Sequence, residues 1–337
     1  MDTQPALDGL VRLTTGLWAS QTLVAAEDLG LFTFLSGGSA TPAEVAAGTG
    51  IAERPAEILL TACAALDLLD ADGGRFRNTP VAEAYLVKGK PDYFGDYIRM
   101  LGQYANPGWM RVTEIVRANR PGRLLSGDQE EIFEEGTRPR IFWDGLYPLS
   151  AGTARVLAEE VDFGETSTLL DVGGGGGAFA VELCRRHPDL HTTIFDLPFV
   201  CEYTVDKVEE AKLSDRISLR SGDFLQDAEL PPGHDAILLS MILHDWDEAR
   251  NAELLAKCHR ALPSGGLLVI SELLVDDDKA GPADAALMSM AMLVGTWGRN
   301  YTAAEYHEWL TAAGFDDIRT VRFQAPGANG AITARKP

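Results

Sequence analysis

Residues 169–177 read Leu-Leu-Asp-Val-Gly-Gly-Gly-Gly-Gly, so an apolar strand passes through an acid into a run of glycines. Glycine adopts the positive φ angles of a sharp turn and lets a ligand approach the main chain closely. A helix is predicted from Ala178, and the exposed N–H groups at its start suit a polar or anionic ligand group. A second acid, Asp196, follows the run Thr-Thr-Ile-Phe and is predicted to bind ribose hydroxyls, as acids at that place in nucleotide-binding α/β units do. The segment therefore predicts a nucleoside-like cofactor.

The glycine run is compatible with more than one cofactor. Gly173, Gly175 and Ala178 also satisfy the dinucleotide pattern G-x-G-x-x-A, so a nicotinamide-dependent dehydrogenase stays open at this point. A tight loop that binds nothing is the other alternative. The polar residues further along the chain are needed to distinguish these alternatives.

Composition limits the partners of this protein. The 337 residues carry a net charge of −21, a balance that repels nucleic acid and anionic membranes. No apolar stretch approaches the roughly 18 residues that a membrane span needs, and the N-terminus has no signal-peptide pattern. The four cysteines are scattered, without a C-x-x-C pair, which is typical of reduced thiols. We therefore expect a cytoplasmic protein that binds neither nucleic acid nor membrane, and no metal site.

The first 100 residues are predicted to form a separate, mainly helical domain. A very apolar first helix requires a partner surface. Helices near 43–47 and 55–69 and a polar hairpin at 70–80 then predict a winged helix. The second of those helices, taken to begin at Pro55, carries no Arg or Lys, so we expect it to pack against protein and not against DNA. Residues 101–160 are predicted to be a helical linker whose aromatic side chains, among them Trp143, contribute to the acceptor pocket.

From residue 161 to 337, strand and helix patterns alternate, which is typical of α/β proteins. The last two predicted strands are separated only by a Gly/Pro/Asn loop, so we expect them to form a hairpin at one edge. The sequence thus predicts a Rossmann-like, doubly wound, seven-stranded sheet. The predicted strands are 168–172, 192–196, 217–220, 235–240, 266–275, 317–323 and 331–335.

Polar groups follow most of these strands, and ligands of such sheets bind outside the carboxyl ends of the strands. The third strand is followed by Asp223 and Phe224, a carboxylate that can accept from an exocyclic amine beside a ring that can stack on a flat base. His244 follows the fourth strand and Glu272 lies near the end of the fifth. With Asp171 and Asp196, these residues predict a crevice that fits adenosine.

These motifs resemble those of class I S-adenosylmethionine-dependent methyltransferases. The branch resembled is that of the plant caffeate and flavonoid O-methyltransferases and the bacterial natural-product O-methyltransferases, and the likeness covers nearly the whole chain. The His-Asp-Trp box at 244–246 together with the Asp-Val-Gly-Gly-Gly run is more specific than either alone. The resemblance implies S-adenosylmethionine as cofactor, a small-molecule acceptor, and a homodimer built through the N-terminal domain.

The chemistry of methyl transfer supports His244 as a general base. Such a transfer is a displacement, so the protein chiefly aligns donor and acceptor. A phenol has a pKa near 10, and a base with an ordinary pKa of about 6.5 can remove its proton. Glu272 is predicted to accept a hydrogen bond from the other ring nitrogen of His244 and so to fix its tautomer.

Two positions depart from the resembled family. Its members carry a second glutamate beside the histidine, in a segment like Gly-Lys/Arg-Glu-Arg-Thr, where this chain has Asn300. Asn300 can hydrogen-bond but cannot carry charge. Ser240 stands where plant relatives place a lysine near the cofactor. Trp297 and Asp245 are predicted, with Trp143 and Asn300, to line the acceptor pocket.

The sequence therefore predicts a methyltransferase that acts on a hydroxyl of a small aromatic or natural-product acceptor. A C-methyltransferase of the same fold, acting on an α-keto acid or an aromatic carbon with or without the assistance of a metal, is the alternative. His244 and Glu272 are the predicted catalytic residues. The predicted cofactor-binding residues are Asp171, Gly173, Gly175, Asp196, Asp223, Phe224 and Ser240.

Overall fold

The computed structural model describes residues 7–125 and 140–337 and contains two compact units, Met1–Asn106 and Pro107–Pro337. Residues 126–139, which belong to the predicted helical linker, lie outside the described residues. None of the described helices is long and apolar enough to cross a membrane.

The first unit consists of short helices and one hairpin. Its helices are α1 (Leu7–Asp28), α2 (Leu31–Phe34), α3 (Pro42–Thr49), α4 (Glu53–Ala65), α5 (Pro80–Tyr85) and α6 (Gly95–Met100), followed by a π-helical turn at Leu101–Ala105; its strands are β1 (Leu69–Asp72) and β2 (Arg75–Asn78). Helix α3 begins with a reciprocal capping box between Thr41 and Glu44, and Pro42 occupies its first turn.

The predicted winged-helix pattern is present in this unit. Strands β1 and β2 pair as an antiparallel hairpin after α3 and α4. Helix α4 begins at Glu53, two residues earlier than the sequence suggested, so it includes Arg54 in its first turn. The prediction that this helix lacks basic residues was wrong by that one side chain, because the helix start was placed at the proline.

The second unit contains the large sheet. Its strands are β3 (Thr168–Val172), β4 (His191–Asp196), β5 (Ile217–Ser221), β6 (Ala236–Ser240), β7 (Leu267–Glu272), β8 (Asp316–Arg322) and β9 (Gly330–Arg335). Helix α7 (Asn106–Trp109) begins at the last residue of the first unit. The other helices of the second unit are α8 (Val112–Ala118), α9 (Arg140–Glu160), α10 (Ala178–Arg186), α11 (Pro198–Ala211), α12 (Glu248–Ala261), α13 (Ala283–Gly295) and α14 (Ala303–Ala312), with 3-10 turns at Gly122–Leu125 and Leu243–Asp245.

The seven strands lie in the order β5-β4-β3-β6-β7-β9-β8. The first five are parallel, and β9 pairs antiparallel with both β7 and β8, so the predicted edge hairpin is confirmed. The chain reverses its direction of winding between β3 and β6, which opens a crevice at the carboxyl ends of these strands.

Strand β7 ends at Glu272, three residues before the predicted end. The backbone N–H of Leu274 donates to Asn329 Oδ1 (2.7 Å), and that of Val275 donates to the carbonyl oxygen of Tyr301 (3.0 Å). Residues 273–275 are buried and apolar, which is why they read as strand, but their hydrogen bonds go to loops and not to the sheet.

The core lies on both faces of the large sheet. Alternate strand residues such as Ile237 and Leu239 belong to one cluster, with Trp246 and residues of α12 and α14. Leu238 and Val269 belong to the other cluster, with residues of α9 and α10. The sheet is therefore a rigid, doubly covered platform, and the segments that extend beyond its carboxyl edge carry the polar side chains.

Candidate active site

The glycine turn after β3 has the conformation that its sequence demands. Gly173, Gly175 and Gly177 have φ angles of 69°, 55° and 76°, in the left-handed region. A β-carbon at Gly174 would lie 2.7 Å from Asp171 Oδ2. A larger residue is therefore excluded there by lack of space, and the turn exposes main chain to a ligand.

Two buried acids, Asp171 and Asp196, lie beneath this turn. Asp196 Oδ2 accepts from the Gly175 N–H (2.8 Å) and Oδ1 accepts from the Leu197 N–H (2.7 Å). Burial raises the pKa of Asp196 to about 6, against the lowering effect of these two donors. Each oxygen keeps a second lone pair, so Asp196 can still accept from a diol.

Asp171 is more isolated than Asp196. It is fully buried, and within the described part of the chain its Oδ2 has no hydrogen-bond partner. Burial, assisted by the neighbouring Asp196 carboxyl, raises the pKa of Asp171 to about 7. An orphaned buried carboxyl oxygen beside a glycine turn is a place where a polar ligand group would satisfy the protein.

The predicted adenine residues lie on the other side of the turn. Asp223 Oδ1 accepts from the N–H groups of Leu225 (2.8 Å) and Gln226 (3.3 Å), so that oxygen is occupied by its own loop. The Phe224 ring lies beside Gly173 and contacts the Trp246 ring edge to face, with 6.2 Å between centroids. The structure thus brings Phe224 to the glycine turn. Of the two carboxylate oxygens of Asp223, Oδ2 is the one that can accept from a ligand.

Trp143 of α9 also reaches the glycine turn, because a β-carbon at Gly175 would lie 3.6 Å from its ring. This places Trp143 beside the predicted cofactor residues, whereas the sequence suggested the acceptor pocket. Ser240 ends β6 opposite Ser271 of β7, and the hydroxyl oxygens of both are buried without a partner among the described residues.

The centre of the site is a buried pair between β6 and β7. His244 Nδ1 lies 2.9 Å from Glu272 Oε2, and both side chains are almost completely buried. The oxygen lies off the direction of an Nδ1–H bond, so the contact is an ion pair by distance and not a well-aligned hydrogen bond. The other oxygen, Oε1, accepts from the backbone N–H groups of Ile242 (3.1 Å), Leu243 (3.1 Å) and His244 (3.4 Å).

The pair changes the acidity of His244. Burial alone would lower the pKa of the ring, but the Glu272 carboxylate outweighs it, and with a smaller contribution from Asp245 the pKa rises to about 9. The ordinary value assumed from the sequence therefore does not apply, and His244 is a stronger base that is largely protonated near pH 7.

The turn that carries His244, residues 242–246, is called the histidine turn below. Three residues that the sequence did not single out support it. Asn251 Nδ2 donates to the carbonyl oxygens of Leu243 (2.9 Å) and Trp246 (3.2 Å), and Tyr301 Oη donates to that of Trp246 (2.6 Å). Gly298 packs directly on this backbone: a β-carbon there would overlap the His244 carbonyl oxygen and lie 2.5 Å from the Trp246 nitrogen. The spacing of Asn251 and Gly298 from the His-Asp-Trp box does not indicate these contacts, because they form only when distant segments of the chain pack together.

The remaining predicted pocket residues lie around this turn. Asn300 is buried, its Nδ2 donates to the carbonyl oxygen of Leu273 (2.7 Å), and its Oδ1 has no partner in the described structure. Asp245 is half-buried and follows His244 directly, whereas Trp297 is 40% exposed. Among residues 7–125 and 140–337, no group of three or more His, Cys, Asp or Glu side chains is arranged to hold a metal ion.

The comparisons with known proteins agree with this geometry. Residues 127–316 match the O-methyltransferase domain family, and residues 11–88 match the O-methyltransferase dimerisation domain family. The chain is 56% identical to the 3-hydroxy-5-methyl-1-naphthoate 3-O-methyltransferase of Streptomyces sahachiroi over 97% of this chain and 94% of that protein.

Two solved structures have the same fold over the full length. Human N-acetylserotonin methyltransferase in complex with SAM superposes with a TM-score of 0.89 at 31% identity, covering 100% of this chain and 99% of that one. PigF with SAH superposes with a TM-score of 0.87 at 27% identity, covering 98% and 100%.

The contact of Gly298 with the histidine turn predicts the effect of Gly298→Ala. The added methyl group must displace the backbone of residues 244–246, so we expect kcat to fall at least tenfold while the affinity for the cofactor stays within twofold. The measurement is steady-state kinetics together with calorimetric titration of the cofactor. The matched control is Gly295→Ala, since a β-carbon at Gly295 meets nothing within 4 Å. An unchanged kcat in Gly298→Ala would show that the turn tolerates displacement.

Proposed function

Because this chain belongs to the S-adenosylmethionine-dependent O-methyltransferase family, we propose that it methylates a hydroxyl of an aromatic carboxylic acid of the hydroxynaphthoate type. Membership of the family decides against the nicotinamide-dependent alternative that the glycine pattern left open. The acceptor class is supported by the naphthoate 3-O-methyltransferase, the relative with 56% identity. The chemistry is supported above all by one observation, the buried His244–Glu272 pair at the edge of the sheet that carries the glycine turn.

The residues of the glycine turn fit the cofactor. Asp196 would accept from the ribose hydroxyls, and Phe224 would stack on the adenine, with Asp223 accepting from its amine. Gly173 and Gly175 leave the main chain open, and the orphaned Asp171 Oδ2 can take a polar group of the methionyl end. When bound, the cofactor supplies an electrophilic methyl group on a sulfonium centre.

The role of His244 follows from its two nitrogens. Nδ1 faces Glu272, so Nε2 is the atom that accepts the proton of the acceptor hydroxyl. Glu272 holds the ring in place and stabilises the imidazolium that forms. A single base is sufficient, because methyl transfer needs a deprotonated oxygen and correct alignment.

The raised pKa of His244 suits an aromatic hydroxyl. A phenol titrates near 10, about one unit above the value of about 9 for His244, so proton transfer to Nε2 costs only about 1.4 kcal/mol. An aliphatic hydroxyl is a far weaker acid, and the same transfer would be strongly unfavourable. The base is therefore matched to phenolic acceptors.

Asn300 is consistent with an acceptor that carries a carboxylate. It is anchored to Leu273, directly after Glu272, at the position where the resembled enzymes have a second glutamate. A neutral amide there removes a negative charge that would repel an anionic acceptor. The unpartnered Oδ1 adds an acceptor for a hydroxyl of the ligand.

The assay for this proposal uses labelled S-adenosylmethionine with hydroxynaphthoic acids, simple phenols, catechols and α-keto acids. We expect a methyl ether of a hydroxynaphthoic acid as the preferred product, and His244→Ala to lower kcat at least about a hundredfold, the usual scale of general-base loss. The product is identified by NMR. Methylation at carbon would favour the alternative C-methyltransferase, and unchanged turnover in His244→Ala would remove that residue from the mechanism.

The pH dependence of the rate tests the pair itself. Neutral His244 is the reactive form, so kcat/KM is expected to rise about tenfold per pH unit below pH 9 and to level off above it. Glu272→Gln keeps an oxygen for the three backbone donors but removes the charge. Since burial alone lowers the pKa of His244, the rise should move to pH 6.5 or below in this variant. A profile with its rise still near pH 9 would assign it to another group.

Asp196→Ala tests the cofactor assignment. We expect the affinity for S-adenosylmethionine to fall at least tenfold, because two hydrogen bonds from the ribose lose a charged acceptor. Calorimetry gives the affinity directly, and His244→Ala, which should bind the cofactor normally, is the control. Native affinity in Asp196→Ala would contradict the ribose assignment.

The exposed face of α1 supports a homodimer formed through the N-terminal unit. Leu13 and Trp18 are 79% and 70% exposed, within a group that also contains Leu7, Leu10, Val11 and Leu17. Contiguous exposed apolar side chains of this kind mark interaction surfaces. This face belongs to the segment that matches the dimerisation domain family.

Light scattering measures the assembly. We expect the unmodified chain to have twice its 36.4 kDa mass, and the double variant Leu13→Lys/Trp18→Glu to have the mass of a single chain. Leu287→Lys, a charge at an exposed leucine of α13, is the control and should keep the dimer. A dimer in the double variant would mean that α1 is not the interface.

A further inference from the structure

The glycine turn is held from two sides by helices of the second unit. On one side, Thr204 of α11 donates its hydroxyl to the carbonyl oxygen of Gly175 (2.6 Å). On the other side, α9 brings the ring of Trp143 to Gly175. Gly176 lies between two tyrosines, since a β-carbon there would be 3.1 Å from the Tyr147 ring and 3.2 Å from the Tyr203 ring.

A polar cluster ties these two helices to each other. Tyr203 Oη of α11 donates to Asp144 Oδ1 of α9 (2.8 Å), and Lys207 Nζ lies 3.4 Å from the same oxygen. The Lys207 ammonium also lies 5.5 Å from the centre of the Tyr147 ring and 5.6 Å from that of Tyr203. Arg140 Nε lies 3.5 Å from Asp144 Oδ2.

The cluster is more protected than an ordinary surface ion pair. The side chains of Lys207 and Asp144 are 19% and 27% exposed, and Tyr203 is buried. Burial and the nearby Asp144 carboxylate both raise the pKa of Tyr203, so its hydroxyl remains a donor at all working pH values. Charge-assisted hydrogen bonds in such surroundings are stronger than exposed pairs.

All of these contacts come from the first two turns of α9, the part that carries Trp143 and Tyr147. If this part of the helix moved away, both rings would leave the glycine turn and the main chain of Gly175 and Gly176 would lose its support on that side. The cofactor assignment of the preceding section is the premise here: a ligand bound on the turn depends on a main chain whose position those rings support.

We propose that Asp144, Tyr203 and Lys207 form a latch that holds the start of α9 against the glycine turn and sets how tightly and how long the cofactor is bound. The latch residues are positioning residues, since they act through Trp143 and Tyr147. The latch controls the binding of the cofactor and of its demethylated product, and it leaves the proton transfer at His244 unchanged.

Tyr203→Phe tests the proposal, because it keeps the ring against Gly176 and removes only the hydroxyl that reaches Asp144. We expect the calorimetric Kd for S-adenosylhomocysteine and the KM for S-adenosylmethionine to rise about tenfold and the dissociation of both to be faster. The kcat at saturating cofactor should stay within twofold. Hydrogen exchange should increase in the first turns of α9.

Asp144→Asn provides a second variant and Tyr85→Phe the matched control. The amide of Asn can still accept from Tyr203 but no longer pairs with Lys207, so the rise in Kd should be about threefold. Tyr85 is exposed in the first unit, and the same loss of a hydroxyl there should change nothing. Unchanged Kd in both latch variants, or a fall in kcat with unchanged KM for the cofactor, would overturn the proposal.

The titration with S-adenosylhomocysteine requires no acceptor. If the unmodified chain fails to bind it, the cofactor assignment is wrong, whereas normal binding that is insensitive to Tyr203→Phe refutes the latch alone. Failure to methylate hydroxynaphthoic acids affects neither result.

Discussion

The site depends on one buried carboxylate, that of Glu272. A charge in an apolar interior is costly unless donors and a counter-charge surround it, and here one oxygen takes three backbone N–H groups while the other faces His244. The three N–H groups are those of the turn that carries the histidine. The same carboxylate therefore fixes where the ring lies, through the three N–H groups, and how basic the ring is, through its charge.

This arrangement involves a compromise between basicity and availability. With a pKa of about 9, about one His244 ring in a hundred is neutral at pH 7, but each neutral ring accepts a proton more readily than an ordinary imidazole would. The compromise is favourable for acceptors whose hydroxyl is itself acidic. It would be unfavourable for an alcohol, because an aliphatic hydroxyl is too weak an acid to lose its proton even to the more basic His244 ring.

The sequence predicted the sheet and the edge that carries the site because both depend on local patterns. Apolar runs bounded by glycine and acids predict the strand ends to within three residues, and the largest difference is at β7, which ends at Glu272. The remaining features depend on tertiary contact. Met241, with φ 53°, redirects the chain from β6 into the histidine turn, and Gly298 fits that turn from a distant segment. The pKa of His244 likewise depends on burial beside Glu272, which no spacing reveals.

The structure also separates the supports of the two reacting partners. The glycine turn is held by β3, α9 and α11, whereas His244, the proposed base, is held by β7, Asn251 of α12 and the segment that contains Gly298 and Tyr301. The two groups of supports use different strands, β3 and β7, which β6 separates in the sheet. Because displacement of a methyl group needs alignment and no covalent intermediate with the protein, such a division is sufficient for catalysis. With the roles proposed above, the surroundings of His244 can change while the glycine turn stays as it is, so we expect acceptor preference to depend on the segment from Leu273 to Asn300.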